Sequence, residues 1–427
     1  MLEQLQKAAF DYFPNSTNPE TGLVADRSGN GSPSSIAVVG LALSAYPVGV
    51  ERGWIGRDEA ASCTLRTLRF LWDSDQSGGS EATGFRGFYF HFLDMKTGLR
   101  MWQCEVSIID TALLMAGVLS SASYFTRNTE QEAELRELAD ALYRRVDWRW
   151  AQTDNAAVVL GWKPNHGFLS YGWEGYSEAL VLYILGLASP TYPLTPESFL
   201  VWTQTYQWEN LYGQEFLYAG PLFIHQLSHA WIDFRGIQDR FMLEKKCDYF
   251  ENSRRATLVQ REYALRNPLN FRGYGEDCWG LSAGDGPSIP AVMISGRKQR
   301  FYAYAARGAP YGPDDGTIAG SAALISLVFA PDTALPVVRS LFARSGSAIG
   351  ETILAGGFNA TAGAPGRQDW VSPGRFGIDQ GLIVLMIENF RSGLPWKLGC
   401  NNTYFRSGLC RAGFKGGWLE AAGARTP

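Results

Sequence analysis

Gly172-Trp173-Glu174-Gly175-Tyr176-Ser177-Glu178-Ala179-Leu180 runs without a break into an apolar stretch that ends at Leu187. Residues 179–187 carry no polar face, which is the pattern of a helix buried on all sides rather than one lying on a surface. Gly172 and Gly175 loosen the entry, so Glu178 is expected in the first turn, at the mouth of a core helix. Two readings of Glu178 are open. A carboxylate there complements the positive end of the helix dipole. A carboxyl group set among Trp173, Tyr176 and a core is also partly desolvated, and desolvation raises its pKa toward the range a general acid needs near neutral pH.

The same arrangement, a polar or aromatic entry followed by an apolar helix, recurs along the chain. Ser34-Ser35 precedes Ile36 to Tyr46, where Pro47 is expected to end the helix. Glu105-Val106-Ser107-Ile108-Ile109-Asp110-Thr111 leads into Ala112 to Ser123, and Asp379-Gln380-Gly381 lies in the last clear helix, 376–390. Between these lie more polar helices, 2–13, 57–72, 130–150 and 239–266, and a short buried one at 221–229. The aromatic run 88–102 predicts a β-hairpin turning at Met95 to Gly98. Residues 356–374 and the glycine-rich stretches are loops.

About a dozen helices in consecutive pairs, with few and short strands, exclude a parallel βαβ sheet. An all-α architecture remains, either an α/α toroid of about six hairpins or an open solenoid, and the lack of a fixed repeat disfavours the solenoid. No linker divides residues 1–427, so a single domain is expected, with a C-terminal tail at 398–427. In a toroid the loops of one rim would gather the polar-aromatic motifs into a cleft.

Composition narrows the partners. The chain has 427 residues and a formal charge of −4, which argues against binding a nucleic-acid backbone. No segment has the roughly 18–20 apolar residues of a membrane span. The start, Met1-Leu2-Glu3-Gln4-Leu5-Gln6, is not a signal peptide, which leaves a cytoplasmic protein or one whose signal has been removed. Trp and Tyr are abundant, 14 and 19, as in sites that hold sugars, though a large core also uses them. The six cysteines show no zinc spacing; Cys400 and Cys410 are the pair that could form a disulfide.

Four carboxylate motifs stand out. Ser107-x-x-Asp110 is a capping box as well as an acidic motif, whereas Glu105 has no such structural excuse. Glu174 and Glu178 form the second motif. Gly273-Tyr274-Gly275-Glu276-Asp277-Cys278-Trp279 is an aromatic loop with Asp285 close behind, and Asp379 is either an N-cap or a site residue. Several carboxylates among aromatics suit glycoside hydrolysis, where one protonates the leaving oxygen and another activates water or attacks the sugar. His225, His229 and Asp233 share a helical stripe, but Gln226 stands where a zincin has its base, so a buried network with Arg235 is preferred to zinc.

The ordered set Thr21 to Arg27, Gly49 to Trp54, Glu105 to Thr111, Trp173 to Ala179 with Ser189-Pro190, His225 to Arg235, Tyr274 to Trp279 and Asp379 to Asn389 resembles the glucoamylase-like family of bacterial hydrolases. That family includes β-1,2-glucanases, and a related domain occurs in cyclic β-1,2-glucan synthases. The resemblance spans about residues 2–397 and implies a six-fold α/α toroid acting on β-linked glucan, β-1,2-glucan first, in a periplasmic or extracellular setting. It implies Glu178 as general acid, with Glu105 and Asp110 near the scissile bond. Glu276 completes the pool for the second carboxylate. Trp173, Tyr176, Tyr274 and Trp279 would border sugar rings, and His225, Gln226, Asp233, Arg235 and Asp379 would hold hydroxyls or carboxylates. The expected protein is a monomer that uses no cofactor and no metal. The alternatives are a non-catalytic glycan-binding protein and a zinc-dependent transferase on the same toroid.

Overall fold

The sequences that are apolar all round become the innermost helices of the computed structural model, which describes residues 1–294, 296–344, 350–362 and 369–423. In chain order the main helices are α1 (Leu2–Phe10), α2 (Ile36–Glu51), α3 (Arg57–Asp73), α4 (Ile108–Tyr124), α5 (Glu130–Arg145) and α6 (Leu180–Ala188). They continue as α7 (Pro196–Thr203), α8 (Leu222–Gln226), α9 (Tyr249–Arg266), α10 (Gly320–Ile325), α11 (Pro331–Arg344) and α12 (Gly377–Arg391). Every residue of α6 and of α10 is buried, whereas α3, α5, α9 and α11 bury one face and expose the other.

Contacts follow that division. The buried helices touch in the sequence α10, α12, α2, α4, α6, and α8 packs on α10. The amphipathic ones lie outside them, α3 against α5, α1 against α12, α9 against α8 and α11 against α10. The closest approach is between α2 and α4: a Cβ on Gly117 would lie 1.9 Å from the Gly40 carbonyl oxygen, so two bare backbones cross there. Between α6 and α8, the Ser228 hydroxyl accepts from the Val181 amide at 3.1 Å. No helix among the described residues is long and apolar enough to cross a membrane.

All described strands are two to four residues long. Several expectations are corrected. Helix α2 continues through Pro47 to Glu51, because Val48 stays buried and the proline removes one ladder bond without turning the chain out of the core. The helix expected over 239–266 is two, Arg240–Glu244 and α9, separated by Lys246 at φ +52° and restarted by the Asp248 carboxylate, which accepts from the Glu251 amide. After α7 the chain forms the strand Trp208–Leu211, which pairs with Gln214–Leu217. Residues 88–102 do not form one hairpin. Phe88–Phe90 lies between Gly84–Phe85 and Val106–Ser107 in a five-stranded sheet, and Phe92–Leu93 pairs with Ser34–Ser35.

Within the tail, Leu394–Asn401, Thr403–Arg411 and Gly417–Gly423 are helical, and Thr403–Arg411 packs directly on α6. All six cysteines are free thiols. Cys400 and Cys410 sit on different helices of this tail and are not bonded to each other.

Candidate active site

A cavity of about 260 Å³ opens where the N-terminal ends of α4, α6, α8 and α12 meet the loops that precede them. Its polar lining is His91, Asp110, Glu178, Tyr304 and Asp379, and its apolar lining includes Leu113, Phe223 and Phe376. Converging helix starts turn unpaired N–H groups and the positive ends of their dipoles toward one place, which favours a cluster of carboxylates there.

Glu178 precedes α6 by two residues and is held from three sides. The Ser228 hydroxyl lies 3.3 Å from its main-chain carbonyl. Tyr176, two residues earlier, is buried against Tyr206, Tyr249 and His225, and Ala179 begins the all-apolar run. Burial raises the Glu178 carboxyl to about 7, with the Asp110 charge adding and its own main-chain amide opposing. At neutral pH this group therefore exchanges a proton readily, as a general acid must.

Asp110 lies in the first turn of α4. Its amide donates to the Ser107 hydroxyl at 3.2 Å, and that hydroxyl donates to the Asp110 carboxylate. The capping box thus forms, and its carboxylate still faces the cavity. His91 lies between the strands Phe88–Phe90 and Phe92–Leu93. Its Nδ1 is 2.9 Å from Glu105 Oε1 and its Nε2 is 3.5 Å from Asp110 Oδ2. Burial pulls the imidazole down, but Asp110, Glu105 and Asp26 outweigh it and carry it up to about 9. The hydrogen bond from His91 in turn holds Glu105 below the usual carboxylate range, against its burial.

A second acidic group lies at the start of α12. Burial raises Asp379 to about 7; the Ser321 hydroxyl opposes this, and Asp26 and Asp285 add to it. Burial likewise raises Asp26 to about 6, with His91 and Arg27 opposing. Arg27 bridges to Asp285 at 2.6 Å and covers the Phe376 ring at 4.8 Å, and Ser372 donates to Asp285 at 2.7 Å. Tyr304 is 62% exposed and lines the cavity together with Asp379 and Glu178, and its ring meets Phe376 edge-on at 5.6 Å.

Of the residues singled out in the sequence, Glu178, Asp110 and Asp379 line the cavity, and Glu105 stands behind His91. The others lie elsewhere. Glu276 is 68% exposed and paired with Arg261, and Tyr274 of the same loop donates to Asp314. His225 bonds to the Ala219 carbonyl, and burial lowers it to about 4; His229 bonds to the Ser253 hydroxyl, and burial with the neighbouring His225 lowers it to about 3. Gln226 ties α8 to Ala322 and Ser326, and Trp279 is buried in the core. Asp233 and Arg235 pair 2.7 Å apart, with Arg235 over the Trp396 ring. Tyr176 and Trp173 pack into the core behind Glu178 rather than lining the cavity. Among the described residues no group of three or more His, Cys, Asp or Glu side chains is placed to hold a metal ion.

His91, Asp26, Arg27, Asp285 and Tyr304 were not singled out as site residues from the sequence. Each comes from a loop or strand end whose place depends on pairing far along the chain, such as the Arg27–Phe376 bridge. The one local signal was a histidine set inside an aromatic strand, Phe88 to Phe92.

Residues 170–403 match the family model described as "Putative glucoamylase". A solved structure called a putative glucoamylase, from Bacteroides uniformis, is 30% identical over 98% of both chains, with a TM-score of 0.85. An endo-β-1,2-glucanase from Chitinophaga pinensis, solved with sophorotriose and glucose, is 27% identical over 98% of both chains, with a TM-score of 0.84. An exo-β-1,2-glucooligosaccharide sophorohydrolase of Parabacteroides distasonis is 26% identical; the match covers 96% of this chain and 57% of that protein's length.

Proposed function

The chain belongs to the glucoamylase-like family, and from that premise we propose that it is a glycoside hydrolase cleaving β-1,2-linked glucan or its oligosaccharides. The observation that carries the chemistry is Glu178, a carboxyl raised to about 7 by burial at the edge of a cavity that Asp110 also lines. The substrate class rests on the names of the relatives from Chitinophaga pinensis and Parabacteroides distasonis. The order of helix contacts, with α2, α4, α6, α8, α10 and α12 inside and the amphipathic helices outside, supports a six-fold α/α ring.

In this reading protonated Glu178 gives its proton to the glycosidic oxygen as the bond to the anomeric carbon breaks. Asp110 supplies the anionic group at that carbon, where it activates water or attacks directly. The Ser107 hydroxyl donates to the Asp110 carboxylate, and His91 Nε2 lies 3.5 Å from Oδ2 of the same group. Asp379 and Tyr304 hold sugar hydroxyls.

Incubation with linear β-1,2-, β-1,3-, β-1,4- and α-1,4-glucans tests the proposal. New reducing ends are expected from the β-1,2 polymer. Glu178→Gln is expected to abolish their release while the thermal transition stays within a few degrees of the parent. Activity confined to α-1,4-glucan would overturn the substrate assignment, and full activity in Glu178→Gln would overturn the acid. A protein that binds β-1,2-glucan and releases nothing would be a glycan-binding protein instead.

A further inference from the structure

We propose that His91 is a positioning residue of this site, an imidazolium clamped between Glu105 and Asp110 that balances their charge and fixes how the Asp110 carboxylate faces the cavity; this rests on the hydrolase reading. The clamp is geometric. Nδ1 lies 2.9 Å from Glu105, which immediately precedes the strand Val106–Ser107, and Nε2 lies 3.5 Å from Asp110 on α4. Phe92 stacks on the ring, with centroids 4.0 Å apart and planes at 11°, which fixes the ring plane. The main chain is fixed too: the His91 amide donates to the Glu105 carbonyl at 2.9 Å, and the His91 carbonyl accepts from the Ile36 amide at 3.3 Å. The ring therefore has little freedom to leave either carboxylate.

The surroundings explain why a cation belongs there. Asp26, on the loop before Ser34–Ser35, adds its charge at His91 to those of Glu105, just before the strand Val106–Ser107, and Asp110 on α4. Glu178 feels Asp110, and Asp379 feels Asp26 and Asp285. Arg27 is drawn toward Asp285 and Lys163 acts on Glu105, so neither takes the place between Glu105 and Asp110. A neutral imidazole donates from one nitrogen and accepts at the other, so it cannot donate to both carboxylates; the protonated ring can. An opposite charge within about 4–6 Å favours the ionised carboxylate, commonly by one to three pH units.

Two measurements test this, and the first does not depend on activity. The chain has four histidines, which makes a long-range ¹H–¹⁵N spectrum of the imidazoles readable in the intact protein. His91, assigned by loss of its signals in His91→Asn, is expected to keep both ring nitrogens protonated at pH 7.5. A ring that is neutral there would overturn the proposal. The second is the pH profile of kcat/KM on β-1,2-glucan for the parent and for His91→Asn and His91→Gln. Without the cation Glu105 loses the hydrogen bond that holds its carboxyl low, so the acidic limb should move from the parent's position. A lower rate with an unmoved acidic limb would mean a packing role only and would also overturn it. If the parent hydrolyses no glucan, the hydrolase reading fails, while the spectrum still decides the charge on His91.

Discussion

The hydroxyl of Ser228 donates to the main-chain carbonyl of Glu178 across 3.3 Å, although the two residues are 50 positions apart. The same oxygen accepts from the Val181 amide, one of the N–H groups that the start of α6 leaves unpaired. One side chain thus ties the residue before a core helix to the turn that follows α8. Ser228→Ala strands a buried carbonyl and a buried amide, which costs about 1–3 kcal/mol. It also frees the Glu178 backbone, so kcat is expected to fall more than KM changes. Urea unfolding with steady-state kinetics on β-1,2-glucan checks both; unchanged stability would mean the hydroxyl is not bonded as described.

The acid itself sets a pH limit. Glu178, raised to about 7, is competent when protonated, so kcat/KM is expected to fall above about pH 7. An alkaline limb beyond pH 9 would assign proton donation to another group.

Glu178, Asp110 and Glu105 were legible in the sequence because each stands at the boundary between a polar entry and an apolar helix, and that boundary is a local pattern. His91 was not, because its partners Glu105 and Asp110 meet it only when Phe88–Phe90 pairs with Val106–Ser107. Glu276 sits in a loop whose composition looks like a site, but its side chain is 68% exposed, pairs with Arg261 and lies outside the cavity lining. The buried helices were legible from apolar runs alone, whereas two-residue strands leave too few residues to show a period of two.

Asp379 tests the stability side of the same electrostatics. Its folded pKa is raised to about 7, against about 4 in an unfolded chain. A raised carboxyl contributes stability that is whole below the unfolded value and is lost as pH rises through the folded one. Asp379→Asn removes that loss, so the variant should lose less stability than the parent between pH 5 and pH 8. Denaturant titrations at the two pH values measure the difference, and equal slopes would show that Asp379 is not desolvated. Activity is expected to drop, as is usual where a strained site group is relieved.

Arg307 and Asp315 form an ion pair whose side chains are 1% and 0% exposed. Nε and Nη2 of Arg307 reach the two Asp315 oxygens at 2.7 and 2.9 Å, and Nη1 donates to the Gly284 carbonyl at 3.0 Å. Asp315 also accepts from the Tyr302 amide at 2.9 Å. The pair therefore fastens both ends of the segment that brings Ala283 and Tyr304 to the cavity. Arg307→Met leaves a buried carboxylate unpaired, and removing one partner of such a pair costs about 3–5 kcal/mol. Loss of glucan affinity should accompany the loss of stability. Arg307→Met with Asp315→Asn should recover part of the stability without the affinity, since the carbonyls stay unclamped. Full recovery of both would show that the pair does not position the segment.

The crossing of α2 and α4 gives the sharpest structural test. A Cβ at position 117 would sit 1.9 Å from the Gly40 oxygen, and one at position 40 would sit 2.4 Å from the Leu113 oxygen. The obstacle in each case is backbone, which cannot rotate aside, so the helices must separate. Gly117→Ala is expected to cost about 3 kcal/mol, at the upper end for overpacking. The effect should reach the site, because α4 carries Asp110 and the strand before α2 pairs with the strand after His91. Gly40→Ala should cost a similar amount, and the double variant should cost less than the sum, since one separation relieves both clashes. A loss below about 0.5 kcal/mol for Gly117→Ala, in the range of an ordinary surface change, would mean that the two backbones do not approach as closely as described.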